Sequence, residues 1–237
     1  MRITQTMLSE RVEVLAKNGR LAPAYPLLAK VGYSPGVLDK GLALLEHWRR
    51  EHLLANELAA IKKRAVWAKT EARKAARREM TSLANTIRVV FTDEEFVWER
   101  FGIGPRYRPG RQHKQRIRPS ESLDAYLDRW NSLLEGVSQL QKEDRALLVD
   151  AGWLPSRIEE ARKLIEISSD LDWHAFQKKA ESQKQTRIAT ALEKQVREWY
   201  SRASRLVRIA IRELPREQRG LMTAFLHVET ARAPGEK

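Results

Sequence analysis

Shifted by 120 residues, the chain matches itself without a gap from Met7 to Phe91, with 12 identities in 85 positions. Leu27-Leu28 falls on Leu147-Leu148, Gly32-Tyr33 on Gly152-Trp153, and Pro35 on Pro155. Further along, Leu44 falls on Leu164, Glu46 on Glu166, Thr70 on Thr190, Lys74 on Lys194, Arg77 on Arg197 and Arg88 on Arg208. The apolar classes agree as well: Val14/Leu134, Leu38/Ile158, Leu45/Ile165, Ile87/Val207 and Phe91/Ile211. Self-similarity at a fixed offset is the mark of one supersecondary unit used twice. We therefore read residues 1–103 as a first helical repeat, 104–119 as a linker, and 120–237 as a second repeat.

Periodicity assigns the class. Val196, Tyr200, Ala203, Val207, Ala210 and Leu214 recur at three-four spacing, as do Met80, Leu83, Ala84, Ile87 and Phe91. Apolar residues at that spacing make one face of an α-helix, and no segment sustains the alternation of a strand. Two shorter helices open each repeat, near Gln5–Asn18 and Ala24–Val31, then near Ser120–Gly136 and Glu143–Ala151. Each pair runs into a shared corner, Gly32-Tyr33-x-Pro35 and Gly152-Trp153-x-Pro155. Glycine takes the left-handed conformation that ends a helix, and proline suits the first position of the next.

Beyond each corner the punctuation stops. Leu42 to Phe101 and Ser156 to Leu214 contain neither Gly nor Pro. As one helix, each stretch would run about 90 Å. A hairpin of two helices buries the apolar seam more economically, with a turn near 182–190 or near Ser168-Ser169-Asp170. The expected fold is thus all-α. Two long hairpins pack as a four-helix bundle with pseudo-two-fold symmetry, or else form two bundles joined by the linker.

No chemistry-bearing motif accompanies this architecture. The chain has no cysteine, so disulfides and thiolate metal sites are absent. None of its five histidines follows a Glu by three residues, the spacing of di-metal bundle sites. Neither a nucleophile elbow nor a phosphate loop occurs. We expect a protein without enzymatic activity, metal or cofactor. No run of 18 apolar residues is present, so we also expect a cytoplasmic protein with no membrane partner.

What remains is charge. The formal net charge is +13, an excess that points towards anionic partners. Lys62, Lys63, Arg64, Arg73, Lys74, Arg77 and Arg78 crowd one stretch, opposed only by Glu71. Arg106, Tyr107, Arg108, Arg111, Lys114, Arg116 and Arg118 crowd the linker, which has no acidic residue. Such density suits phosphate neutralisation, although a solvated helix face has the same composition. The primary expectation is a helical scaffold or protein-interaction protein, self-association included. The alternative is a nucleic-acid-associated protein using these basic segments. Of the seven tryptophans, Trp48, Trp173 and Trp199 suit seam packing, whereas Trp67, Trp98 and Trp130 are the candidates for exposure.

Overall fold

The computed structural model describes residues 3–92, 98, 100–103 and 123–228. These residues are all-α, with no strand among them. The helices are α1 (Gln5–Asn18), α2 (Ala24–Lys30), α3 (Pro35–Val90), α4 (Leu123–Ser138), α5 (Lys142–Asp150), α6 (Pro155–Arg212) and α7 (Arg216–Phe225). Among the described residues no helix is long and apolar enough to cross a membrane.

The corners form as their residues dictate. At the end of α2 the Tyr33 amide donates to the Leu28 carbonyl (2.9 Å) and the Gly32 amide to the Ala29 carbonyl (3.1 Å). At the end of α5 the Trp153 amide donates to Leu148 (2.9 Å) and the Gly152 amide to Val149 (2.9 Å). This bond pair is the Schellman arrangement, which satisfies helix-end carbonyls and requires a left-handed residue. Gly32 (φ +81°) and Gly152 (φ +86°) supply it. The aromatic that follows plugs the core: both Tyr33 and Trp153 are buried. Burying a large apolar side chain is worth about 1.5–3 kcal/mol. The Trp153 indole also donates to the Thr86 hydroxyl (3.0 Å).

The long stretches depart from expectation. Each is one uninterrupted helix, α3 of 56 residues and α6 of 58. No turn occurs at 168–170 or 182–190, so the hairpins, and a four-helix bundle made from them, do not form. The reason lies in the seam. Along α3, buried or half-buried positions run 41, 45, 48, 52, 55, 59, 62, 65, 69, 72, 76, 80, 83, 87 without losing three-four spacing. Such a stripe keeps facing a partner helix along its whole length. Its middle is small: Ala55 and Ala65 on α3, and Ser168, Ala175, Ser182 and Ala189 on α6, are all buried.

The chain divides into two compact units, the first built from both ends of the sequence and the second from its middle. Unit 1 comprises Met1–Ala60 with Ala180–Lys237, and unit 2 comprises Ile61–Lys179. In unit 1, α1, α2 and α7 enclose the opening part of α3 and the closing part of α6. Leu8, Val12, Leu28, Leu38, Leu45, Tyr200, Val207 and Met222 form its core. The helix parts are antiparallel, since Gly41 meets Trp199 while Glu51 meets Gln185. In unit 2, α4 and α5 enclose the closing part of α3 and the opening part of α6. Met80, Leu83, Ile87, Phe101, Leu133, Leu148, Trp153 and Ile165 form that core. Here Lys69 pairs with Asp172 (2.5 Å) and Glu79 with Arg157 (3.0 Å), again antiparallel.

Candidate functional site

With one stripe of α3 buried, the opposite face must be solvated. From residue 63 that face carries Lys63, Trp67, Thr70, Lys74, Arg77, Thr81, Asn85 and Arg88, spaced by three or four. All are exposed except Arg88, which is half-buried. The face has no carboxylate. Lys74, Arg77, Arg78, Thr81, Ser82 and Asn85 line an open trough of about 630 Å³ along it. Lys74 touches Glu71 (2.8 Å) on the neighbouring face. That pair is exposed and worth little, so the ammonium stays available.

A second trough runs along α6, within unit 1. It has about 810 Å³ and is lined by Lys194, Arg197, Glu198, Ser201, Arg202 and Arg205, with Leu206 and Ile209 beside them. Each of those six positions lies 120 residues beyond a lining position of the first trough. Lysine stands at the same place in both, arginine at the next, and a hydroxyl four residues on. The first trough holds three cations; the second holds four and one carboxylate. Both therefore carry a net charge of three.

The second trough is braced from its flank. Glu193 accepts from Arg197 (2.6 and 2.9 Å) and from Gln5 (2.7 Å), and Arg197 also donates to the Ile3 carbonyl (3.1 Å). Burial pushes the Glu193 carboxyl up, but the bonds from Arg197 and Gln5 outweigh it. The group sits below its ordinary value of 4.5. Glu193 is thus a charged anchor that fixes Arg197 at the trough edge.

The basic residues singled out in the sequence do not all share this face. Lys63, Arg64, Lys74, Arg77 and Arg78 are exposed on α3, and Lys62 is half-buried. Arg73 turns inward: its guanidinium lies 3.7 Å from Asp172 and 5.5 Å from the Tyr126 ring centroid. Arg106, Tyr107, Arg108, Arg111, Lys114, Arg116 and Arg118 lie outside the described residues. Arg88, Arg202 and Arg205 join the basic faces although none falls in the sequence windows of highest charge. The identity of Arg88 with Arg208 in the 120-residue register was a signal for Arg88; Arg202 and Arg205 fall on Ser82 and Asn85, so the register held none for them.

The tryptophans also sort differently. Trp98 and Trp130 are buried, whereas Trp67 is 67% exposed. Trp173, which suited the seam on periodicity, is 62% exposed and stacks on Phe176 (5.7 Å between centroids). Its neighbour Asp172 holds the seam position instead.

Compared with protein-family models, curated proteins and solved structures, the chain has no match in any of the three.

Proposed function

We propose that this chain is a non-enzymatic helical protein that binds the phosphates of nucleic acid along two equivalent basic stripes, one on each long helix. The observation that carries the reading is where the identities between the halves fall. Leu28/Leu148, Gly32/Gly152 and Ala55/Ala175 are explained by core and corner. Thr70/Thr190 and Lys74/Lys194 are not, because all four are exposed; Arg77 is exposed too, and Arg197 is half-buried at the trough edge. Packing alone does not require the same cation twice on a solvated face. A repeated ligand contact does, and lysine and arginine interleaved with hydroxyls are the residues that hold phosphate oxygens.

The reading takes the two units as copies of one design. Each has a pair of short helices running into a Schellman corner, the opening part of one long helix and the closing part of the other; unit 1 has α7 in addition. The buried positions of α1 support this, with a local correction of two residues: Leu8, Val12 and Leu15 correspond to Trp130, Leu134 and Val137.

The test is binding of single- and double-stranded DNA and RNA across a salt series. The wild type binds with a steep negative slope of log K against log salt. Lys74→Glu with Arg78→Glu, and Lys194→Glu with Arg205→Glu, each weaken binding to every sequence and flatten that slope. Undiminished binding by the fourfold variant sinks the reading.

A second reading, a protein-interaction scaffold, has its own observation in the exposed Trp173–Phe176 stack. Solvated aromatic surface of this kind marks partner surfaces. Sedimentation of the wild type against Trp173→Ser/Phe176→Ser reads out self-association through that patch.

A further inference from the structure

Trp67 is an exposed aromatic set within a basic stripe. It lies on the α3 face that carries Lys63, Thr70, Lys74 and Arg77, and it is 67% exposed. Residues three and four apart are neighbours on a helix surface. For Trp67 these are Lys63 and Arg64 on one side and Thr70 and Glu71 on the other, none of them apolar. Glu71 is engaged by Lys74 (2.8 Å). Val66, next in the chain, is also exposed but lies about 100° round the helix. Trp173 differs, because it stacks on Phe176 and so belongs to a paired apolar patch. A protein partner recognises contiguous apolar area, and an indole between cations offers little of it.

A nucleobase fits such an indole. Proteins that hold single strands combine a cationic track for the backbone with aromatic side chains on which bases stack. In a duplex the base faces are covered by neighbouring pairs, whereas an unpaired base can be splayed out onto a ring. At 1.5 Å per residue, Lys63 stands about 6 Å before Trp67 along the α3 axis and Lys74 about 10 Å after it. A base on the indole therefore keeps its flanking phosphates beside cations. The second stripe is built otherwise at this point. The position 120 residues beyond Trp67 is Arg187, also exposed, which adds charge there and no aromatic ring.

We propose that the α3 stripe binds a single strand of nucleic acid by stacking one of its bases on Trp67. This rests on the phosphate-binding reading of the stripes. The experiment is fluorescence anisotropy at one fixed salt concentration, on the full chain carrying Lys194→Glu and Arg205→Glu so that the α3 stripe dominates. Four labelled probes of one length are compared: single-stranded DNA, single-stranded RNA of the same sequence, the DNA duplex, and an abasic deoxyribose-phosphate strand that keeps the charges and lacks the bases. A base-bearing single strand binds about tenfold tighter than the abasic strand, and the arm that shows this preference identifies DNA, RNA or both as the source. Trp67→Leu keeps apolar bulk but has no ring. It removes the preference and leaves duplex and abasic affinities within about twofold. Trp67→Ala repeats the comparison, and far-UV circular dichroism confirms that these surface variants fold. A preference that survives both variants, or salt-dependent binding with no preference for bases, overturns the stacking assignment and leaves the stripes standing. Binding by the wild type alone, lost with the second stripe, also overturns it. If neither chain binds any probe, both proposals fall.

Discussion

Gly41 illustrates how much one residue decides. A Cβ built at this position would lie 2.2 Å from Cζ2 of Trp199. In an open helix, replacing Gly by Ala stabilises by about 1 kcal/mol. Here the clash reverses the sign, since an overpacked core site costs about 1–3 kcal/mol. Gly41→Ala therefore lowers the denaturant midpoint, and Trp199→Leu in the same chain restores it. Sequence register points to the same conclusion, because the equivalent pair is Ala161 and Glu79: the smaller partner tolerates a methyl group. Glu193 gives a second prediction at this scale. Its carboxyl is held below the ordinary value, so folding favours its ionised form. The unfolded chain binds the proton more readily, and the stabilisation is complete above the unfolded value. It is lost as pH falls through the lower folded value. Melting temperature against pH therefore drops less steeply below about pH 4.5 in Glu193→Gln than in the wild type, once Glu13 is left unchanged in both. The Glu13 carboxyl, lowered by hydrogen bonds from Lys17 and Arg49, adds a contribution of the same sign that both chains keep.

At the scale of the element, the corners were legible and the long helices were not. Gly, aromatic and Pro in fixed order specify a Schellman stop and a new start, and that chemistry is local. Whether a stretch of about 60 residues bends back on itself is not local. It depends on what covers the apolar stripe, and in this protein each long helix covers the other. Around Ala55, Ala65, Ser168 and Ser182 the stripe is made of small side chains, which carry little apolar signal in the sequence. All four of those small side chains are buried. Thr190 and Glu193 have capping-box spacing, yet the Thr190 hydroxyl bonds back to the Thr186 carbonyl (2.8 Å), as a mid-helix threonine does. A proline separates the two architectures. Gln183 is exposed and lies within the expected turn. In a turn, Gln183→Pro is close to neutral. In a continuous helix it removes a backbone bond and costs about 3 kcal/mol or more. We expect the larger loss, measured as a fall in unfolding free energy with reduced ellipticity at 222 nm.

For the whole molecule the decisive quantity is how many ligands it takes. A net charge of +13 guarantees some attraction for any polyanion, so weak binding at low salt distinguishes nothing. Two discrete stripes of equal net charge make a sharper demand. If the stripes bind nucleic acid as proposed, a short oligonucleotide occupies each independently, and a titration under tight-binding conditions saturates at two per chain. Neutralising one stripe with Lys74→Gln, Arg77→Gln and Arg78→Gln lowers the number to one, while the affinity of the remaining site is nearly unchanged. Neutralising Lys194, Arg202 and Arg205 does the same from the other side. Diffuse attraction behaves otherwise: the same substitutions weaken all binding a little and leave no integral stoichiometry. The matched identities at Lys74/Lys194 and Arg77/Arg197 were visible in the sequence, but their outward direction was not. Direction depends on which stripe is buried, and Arg129 lines one cavity with Arg77 only because α4 packs beside α3. A measured stoichiometry of two, falling to one with either stripe removed, would tie the duplication of the sequence to a duplication of the site.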